Sequence, residues 1–162
     1  MINLLRTDSD NADFRALIAL LDADMAIRDG AEHSFYAQFN KVDAIWHVVV
    51  AHKADKAVGC GAIKEYGKGV AEIKRMFVRP ENRGRGIAGE ILAELENWAK
   101  ELNFIECILE TGLKQPEALR LYQRSGYKTI PNYEQYAGVE NSVCLKKLIG
   151  NDSVIKNNTI QQ

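Results

Sequence analysis

A basic, glycine-rich turn carries the clearest chemical pattern in the sequence. Residues 83–89 read Arg-Gly-Arg-Gly-Ile-Ala-Gly and lead into a segment with the apolar period of a helix. The first N–H groups of a helix lack partners within it, and its N-terminus carries partial positive charge. Glycine lets an anion approach these groups closely, so the turn predicts a phosphate-binding site. The structural alternative is a tight turn that needs glycine and carries solvated arginines.

The charge around this turn differs from that of the whole chain. Five basic residues and one acidic residue lie between Lys74 and Arg85, in a chain with 21 basic residues, 22 acidic residues and a formal net charge of -1. One concentrated positive segment in a nearly neutral protein favours a compact anionic ligand. It argues against a broad nucleic-acid surface.

The spacing of the glycines also matches a dinucleotide-binding fingerprint. Gly84, Gly86 and Gly89 fit G-x-G-x-x-G, and Glu110 lies near the offset expected for a ribose-binding acid. In that fold the turn follows its strand directly and the βαβ unit repeats, whereas residues 79–83 intervene here and the upstream strands form hairpins. These differences argue against a Rossmann site. A Walker A loop is excluded because the sequence lacks G-x-x-x-x-G-K-[ST].

Hydrophobic periodicity predicts the elements that position this turn. Alternating or β-rich runs predict strands at residues 2–7, 46–53, 57–66, 70–80, 105–110, 127–130 and 142–147. Apolar residues spaced by three and four, with proline and glycine as boundaries, predict helices at residues 13–28, 32–40, 86–101 and 116–124. Short turns join the second, third and fourth strands, and such connections allow only antiparallel neighbours.

These elements predict an α/β fold in which a mixed sheet of about seven strands is flanked by about four helices. The strand that ends near Arg79, the helix at 86–101 and the strand at 105–110 form the one clear parallel crossover. Residues 1–149 are expected to form a single domain, and the polar residues 150–162 are expected to be disordered.

Composition and cysteine usage indicate a cytoplasmic protein. Cys60, Cys107 and Cys144 are odd in number and lie singly in apolar runs, which is typical of reduced core residues. No run approaches the ~18 apolar residues of a membrane span, and the N-terminus lacks the pattern of a signal peptide. The three histidines have no metal-ligand spacing, so no metal site is predicted.

Two motifs resemble the GNAT family of N-acetyltransferases. Residues 78–88, Val-x-Pro-Glu-x-Arg-Gly-x-Gly-Ile-Ala, are similar to its coenzyme A signature, whose core Q/R-x-x-G-x-G/A falls on Arg83, Gly86 and Ala88. Residues 117–128 resemble the second block of the family, A-x-x-L-Y-x-x-x-G-F/Y, and the predicted order of elements agrees. One departure precedes this block, where many members carry asparagine and this chain reads Lys-Gln-Pro.

The resemblance implies the acyl-CoA N-acyltransferase fold and direct transfer from acetyl-CoA to an amine in a ternary complex. The cofactor would lie between the strand ending at Val78 and the strand at 105–110. Its pyrophosphate would bind mainly backbone N–H groups of the turn, and its pantetheine arm would pair with the strand before it. An N–H of that strand would stabilise the oxyanion. The expected cofactor-binding residues are Met76, Phe77, Val78, Arg83, Gly84, Arg85, Gly86, Ile87 and Ala88.

Tyr122 and Glu72 are the residues that the resemblance makes catalytic. Tyr122 occupies the general-acid position of the second block, and a phenol of pKa ~10 is protonated at neutral pH and can donate to a leaving thiolate. Glu72 lies where some members carry a base. The alternatives are a tyrosine that only packs its ring and forms local hydrogen bonds, and an exposed glutamate paired with Lys74 or with a neighbouring strand. Alternation places Glu72, Lys74 and Met76 on one face unless a bulge intervenes, and Glu110 is a second candidate base.

The acceptor is expected to bind at the variable segment of residues 22–36. Acids and aromatic rings suit a cationic amine. The predicted substrate-binding residues are Asp22, Glu32, Tyr36 and Glu110. A solvated helix face is the alternative, and two tyrosines of the loop at 131–136 could equally line the site.

The predicted function is transfer of an acetyl group to a small cationic primary amine. The alternatives are a protein acetyltransferase, acting on lysine or an N-terminus, and a module that binds acyl-CoA without turnover. The expected partner is a small-molecule amine or a peptide, with no nucleic acid, membrane or metal. Homodimers are common in the family, but no dimer stripe is visible in the sequence.

Overall fold

Seven strands and three α-helices make up the part of the chain that the computed structural model describes, residues 1–30 and 46–150. The strands are β1 (Ile2–Asp8), β2 (His47–Lys53), β3 (Lys56–Gly67), β4 (Val70–Val78), β5 (Glu106–Gly112), β6 (Lys128–Ile130) and β7 (Ser142–Leu148). The helices are α1 (Ala12–Asp29), α2 (Ile87–Glu101) and α3 (Pro116–Arg124), and 3-10 helices span Pro80–Asn82 and Glu134–Tyr136. The predicted helix at 32–40 and the predicted disorder of 151–162 lie outside the described residues.

The strands form one mixed sheet, which confirms the predicted fold class. Their order is β1-β2-β3-β4-β5-β7-β6. β1 with β2, β2 with β3, β5 with β7 and β6 with β7 pair antiparallel. β4 and β5 pair parallel, from Val70–Glu72 to Glu106–Ile108, so the predicted crossover through α2 is confirmed.

The described residues divide into two compact units that both contain part of β4. The first unit comprises Met1–Lys64 and Ile73–Leu95, and the second comprises Glu65–Glu72 and Glu96–Gln162, of which residues up to 150 are described. Each unit has its own buried side chains.

Helix α1 supplies one apolar face to the core of the first unit. Its N-cap is Asn11, whose side chain accepts a hydrogen bond from the Phe14 N–H at 2.9 Å. Its apolar residues recur at spacings of three and four, which places them on the buried face. The cluster contains Phe14, Leu17, Ile18, Leu21, Trp46, Val48, Val50, Ala57, Cys60, Ala62 and Phe77.

A buried polar network stabilises the second unit. The Tyr127 hydroxyl donates to Glu96 Oε2 at 2.9 Å, and Lys147 Nζ donates to Glu96 Oε1 at 2.9 Å. Both carboxylate oxygens of a buried glutamate are therefore satisfied, which offsets the cost of removing its charge from water. The network joins the C-terminal half of α2 to β7.

Within the described residues, no helix is long and apolar enough to cross a membrane.

Candidate active site

The glycine turn begins directly after a 3-10 helix, and its last three residues form the start of α2. Pro80–Asn82 separates β4 from Arg83, so the turn does not follow its strand directly and the Rossmann interpretation is wrong. Gly84 and Gly86 have φ values of 78° and 81°, in the left-handed region that L side chains rarely adopt. The backbone of the turn therefore requires glycine at these two positions, as the structural alternative proposed.

Open space beside the same turn supports a ligand as well. A Cβ built at Gly84, Gly86 or Gly89 would meet no atom within 4 Å. Gly59 differs, because its Cβ would lie 2.9 Å from the Phe77 carbonyl oxygen. The glycines of the turn thus leave room for another molecule at the N-terminus of α2, where the N–H groups are available to an anion.

Arg83, the first residue of the turn, and Arg79, which precedes it, both bind the protein itself. Arg83 Nε donates to the Val78 carbonyl at 2.8 Å, and its guanidinium lies 5.5 Å from the centre of the Phe77 ring. Its Nη2 also lies 3.8 Å from Asp24 Oδ2. Arg79 Nε donates to the Ala57 carbonyl at 2.7 Å. These bonds hold the end of β4. The positive charge of the segment predicted a role in binding an anion, but it did not predict this structural role.

Strand β4 has an irregular backbone at Arg75. Its φ of 60° lies in the left-handed region, which costs a residue with a side chain about 1–2 kcal/mol. Residues 71–75 are all buried, so the predicted alternation of Glu72, Lys74 and Met76 is interrupted here. Arg75 Nη2 donates to Asp22 Oδ1 of α1 at 2.9 Å.

Tyr122 is buried in the second unit, where α3 carries it. The residue is 6% exposed, and its ring meets the Tyr127 ring edge-on at a centroid distance of 5.8 Å. Burial, and then the negative charge of Glu110, raise the pKa of Tyr122 above its ordinary value. Its phenol is therefore neutral and able to donate a hydrogen bond throughout the neutral range.

Glu72 is also buried, which contradicts the alternative of an exposed strand glutamate. The residue is 4% exposed, and its Oε2 accepts a hydrogen bond from the Tyr133 hydroxyl at 2.9 Å. Burial, the Glu72 charge and this hydrogen bond raise the pKa of Tyr133. The Tyr133 ring contacts Tyr66 and Tyr136 edge-on, at centroid distances of 5.2 Å and 5.7 Å. Burial and this hydrogen bond restrict the orientation of the Glu72 carboxylate.

These residues form what we term the tyrosine–glutamate cluster: Tyr66, Glu72, Glu110, Tyr122, Tyr133 and Tyr136. Burial, and then the charges of Glu110 and Glu72, raise the pKa of Tyr136 above its ordinary value. The cluster brings together three residues singled out from the sequence, namely Tyr122, Glu72 and Glu110. Sequence reasoning missed the bond from Tyr133 to Glu72.

The structure describes two of the four residues that were predicted to bind the acceptor. Asp22 is engaged by Arg75, and Glu110 belongs to the tyrosine–glutamate cluster. Glu32 and Tyr36 lie outside the described residues. Among the residues that the structure describes, no group of three or more histidine, cysteine, aspartate or glutamate side chains could hold a metal ion.

Comparison with known proteins identifies the class to which this fold and turn belong. Residues 14–127 match the acetyltransferase (GNAT) family, and the chain belongs to that family. An IAA acetyltransferase from Azospirillum brasilense is 38% identical over 80 residues, 49% of this chain and 52% of that protein. The chain spans about half the length of this relative and of a second curated one.

Solved structures show the same architecture over nearly the whole chain. A Klebsiella pneumoniae protein described as an acyl-CoA N-acyltransferase is 31% identical, with a TM-score of 0.76, over 92% of this chain and 98% of that one. The PaiA N-acetyltransferase from Thermoplasma acidophilum, solved with coenzyme A, is 16% identical with a TM-score of 0.68, over 91% and 99%. The second similarity concerns the fold alone.

Proposed function

We propose that this protein transfers an acetyl group from acetyl-CoA to a primary amine, with residues 1–149 as one catalytic domain. The observation that carries the proposal is the turn before α2, where two left-handed glycines and an open flank adjoin the N-terminus of a 15-residue helix. Such a turn suits the pyrophosphate of coenzyme A. Membership of the acetyltransferase family supports the same cofactor.

The cofactor roles divide between backbone and side chains. Backbone N–H groups of Gly84 to Ala88 bind the pyrophosphate, and the exposed Arg85 adds charge beside it. Arg83 contributes mainly by fixing the end of β4, since its Nε is bonded to the Val78 carbonyl. The backbone of Met76–Val78 pairs with the pantetheine amides, and an N–H of Met76 or Phe77 stabilises the oxyanion.

The reaction forms one carbon–nitrogen bond and breaks one carbon–sulfur bond. An alkylammonium of pKa ~10.4 must lose a proton before its nitrogen attacks, and Glu72, held by Tyr133, accepts that proton directly or through water. The oxyanion collapses and expels the thiolate of coenzyme A. The nitrogen loses its second proton as the amide forms, and this loss balances the proton that the thiolate takes up, through water. Tyr122 donates a hydrogen bond to this sulfur, and its raised pKa keeps the phenol protonated as the charge develops.

The acceptor that fits best is a small cationic amine. Two carboxylates, Glu72 and Glu110, occur with aromatic rings in the tyrosine–glutamate cluster, and both groups favour an ammonium over a neutral analogue. A carboxylate that stabilises the reacting ammonium opposes its deprotonation. We therefore assign Glu72 to the reacting nitrogen and Glu110 to a second positive group of a diamine or basic amino acid.

Calorimetry and an acceptor panel test the proposal. Coenzyme A and acetyl-CoA should bind at micromolar concentrations, and NADH should not bind. Polyamines, basic amino acids, neutral arylalkylamines and lysine peptides are then compared by thiol release. Absence of coenzyme A binding would refute the cofactor assignment. Binding without release from any acceptor would favour the non-catalytic alternative, and faster release with lysine peptides would favour a protein substrate.

A further inference from the structure

We propose that Asp22 and Arg75 are a positioning pair, which holds the irregular backbone of β4 in the geometry needed for acetyl transfer. The inference rests on the proposed function, in which the next residues, Met76–Val78, bind the pantetheine arm and the thioester carbonyl. It gives Asp22 a role different from acceptor binding.

The backbone of Arg75 needs outside support. With a φ of 60° it occupies a conformation that a residue with a side chain leaves readily unless its surroundings impose it. Glycine adopts this conformation freely, but position 75 carries an arginine. The strand therefore keeps its irregular geometry through contacts that Arg75 makes elsewhere.

Two contacts restrain Arg75 from different elements of the first unit. Its guanidinium donates to Asp22 of α1 at 2.9 Å, across 53 positions of sequence. Its carbonyl accepts a hydrogen bond from the Cys60 thiol of β3, with sulfur and oxygen 3.4 Å apart. Side chain and main chain are thus held at once, which fixes both the position and the rotation of the residue.

The ion pair is asymmetric in a way that favours a positioning role. The Arg75 side chain is 5% exposed, whereas that of Asp22 is 54% exposed. A buried guanidinium depends on its carboxylate partner, because an uncompensated buried charge is strongly unfavourable. Loss of the Asp22 charge should therefore disturb Arg75, and through it the direction of the N–H groups that follow.

Asp22→Asn is the first test, with Asp13→Asn as the matched control. Asp13 is also on α1 but pairs with His52. Asp22→Asn should lower kcat roughly ten- to hundredfold for cationic and neutral acceptors alike, since small misplacements of reacting groups have effects of this size. The Kd for coenzyme A should rise by a smaller factor than kcat falls, because the pyrophosphate binds the turn and only the pantetheine arm binds Met76–Val78. A raised KM for cationic acceptors alone would overturn the proposal in favour of direct binding, and an unchanged kcat would also overturn it.

Three substitutions of Arg75 separate its backbone from its charge. Arg75→Gly can keep the positive φ without strain, whereas Arg75→Ala cannot. Arg75→Lys keeps the charge but not the planar guanidinium. We expect kcat to decrease in the order wild type, Lys, Gly, Ala. Equal kcat values in the Gly and Ala variants would show that the backbone geometry is not what Arg75 maintains.

Hydrogen exchange separates this inference from the proposed function. Failure of the wild-type protein to acetylate any amine would refute the function. The amides of Met76–Val78 would still be informative, because a weakened restraint lets the strand open more often. Their exchange should accelerate at least tenfold in Asp22→Asn and not in Asp13→Asn. Equal exchange in both variants would refute the positioning pair whether or not the protein is an enzyme.

Discussion

The glycine turn and the tyrosine–glutamate cluster are built in opposite ways. The turn consists of seven successive residues whose backbone shape and open flank make the proposed site. The cluster depends on side chains far apart in sequence, such as Glu72 and Tyr133, which are 61 positions apart. Under the proposed function, the contrast teaches that cofactor affinity would depend on local conformation, whereas the chemistry would depend on packing of distant segments.

The largest expected effect is loss of cofactor binding in Gly86→Val. A branched side chain would be strained at a φ of 81° and would enter the open space assigned to the phosphates. The Kd for coenzyme A should rise more than about 100-fold in calorimetry, since several charge-assisted hydrogen bonds are lost. Gly67→Val is the control, because Gly67 also has open space but no positive φ. Undiminished affinity in a folded Gly86→Val protein would contradict the turn assignment.

Glu72→Gln should affect turnover without affecting affinity. The amide cannot accept the proton of the amine, so kcat should fall about 100-fold, within the range of general base catalysis. Steady-state kinetics and calorimetry with acetyl-CoA would measure the two quantities separately. Tyr133→Phe should reproduce part of the loss, because it removes the hydrogen bond that orients Glu72. If the affinity for acetyl-CoA fell as much as kcat, the proposal that the turn binds the cofactor and the cluster performs the chemistry would be wrong.

A smaller kinetic effect is expected for Tyr122→Phe. Removal of the hydroxyl should lower kcat about tenfold, because a raised pKa makes the phenol a better hydrogen-bond donor than proton donor. The Kd for acetyl-CoA should stay the same. An unaltered kcat would limit Tyr122 to a packing role, which the structure shows as an edge-on contact with Tyr127.

Alkaline pH should weaken the second unit in particular, because all five described tyrosines lie there. Burial raises the pKa of Tyr122, Tyr127 and Tyr136 above the ~10 of an unfolded chain. A raised folded-state pKa contributes full stability below pH ~10, and the contribution is lost as pH rises further. At half a unit above 10 the loss is roughly 1 kcal/mol for each such tyrosine.

Urea unfolding between pH 9 and 10.5 would measure this loss, with absorbance at 295 nm reporting tyrosine ionisation. In Tyr127→Phe, the free energy of unfolding should fall less steeply with pH, because one of the tyrosines that cause the fall has been removed. A flat dependence in the wild type, or tyrosines that ionise before unfolding, would contradict the assignment.

The smallest expected effect is a gain of stability in Gly89→Ala. Gly89 is helical, has no positive φ and would place its Cβ in open space. Alanine should raise the free energy of unfolding by about 0.5–1 kcal/mol, through helix propensity and a less disordered unfolded chain. Thermal melts would show this as a higher Tm. Coenzyme A affinity should fall far less than in Gly86→Val, because a methyl group is smaller than a branched side chain and the N–H groups of the turn remain.

Most of the fold could be predicted because its signals are local. The spacing of Phe14, Leu17 and Leu21 indicated α1, and Pro116 and Gly126 marked the ends of α3 within two residues. The parallel crossover followed from the length of the connection between β4 and β5. Each signal reflects the period of a helix or strand, which depends little on the rest of the chain.

The irregular backbone at Arg75 could not be predicted in the same way. A positive φ is usually signalled by glycine or asparagine, and the sequence places arginine there. Its support comes from Asp22 and Cys60, neither of which is a neighbour in sequence. The bond from Tyr133 to Glu72 escaped prediction for the same reason. The composition of a loop does not reveal which strand residue its side chains contact.

The three buried cysteines have a chemical consequence for the proposed reaction, in which acetyl-CoA is an activated thioester. Burial raises the pKa of Cys60 and of Cys107 to about 12, and it raises that of Cys144 as well. Only the thiolate exchanges acyl groups, and at pH 7 a thiol of pKa 12 is ionised in roughly one molecule in 100,000. We therefore expect Cys60 and Cys107 to compete poorly with the acceptor. Incubation of the protein with acetyl-CoA should leave both of them without an S-acetyl group.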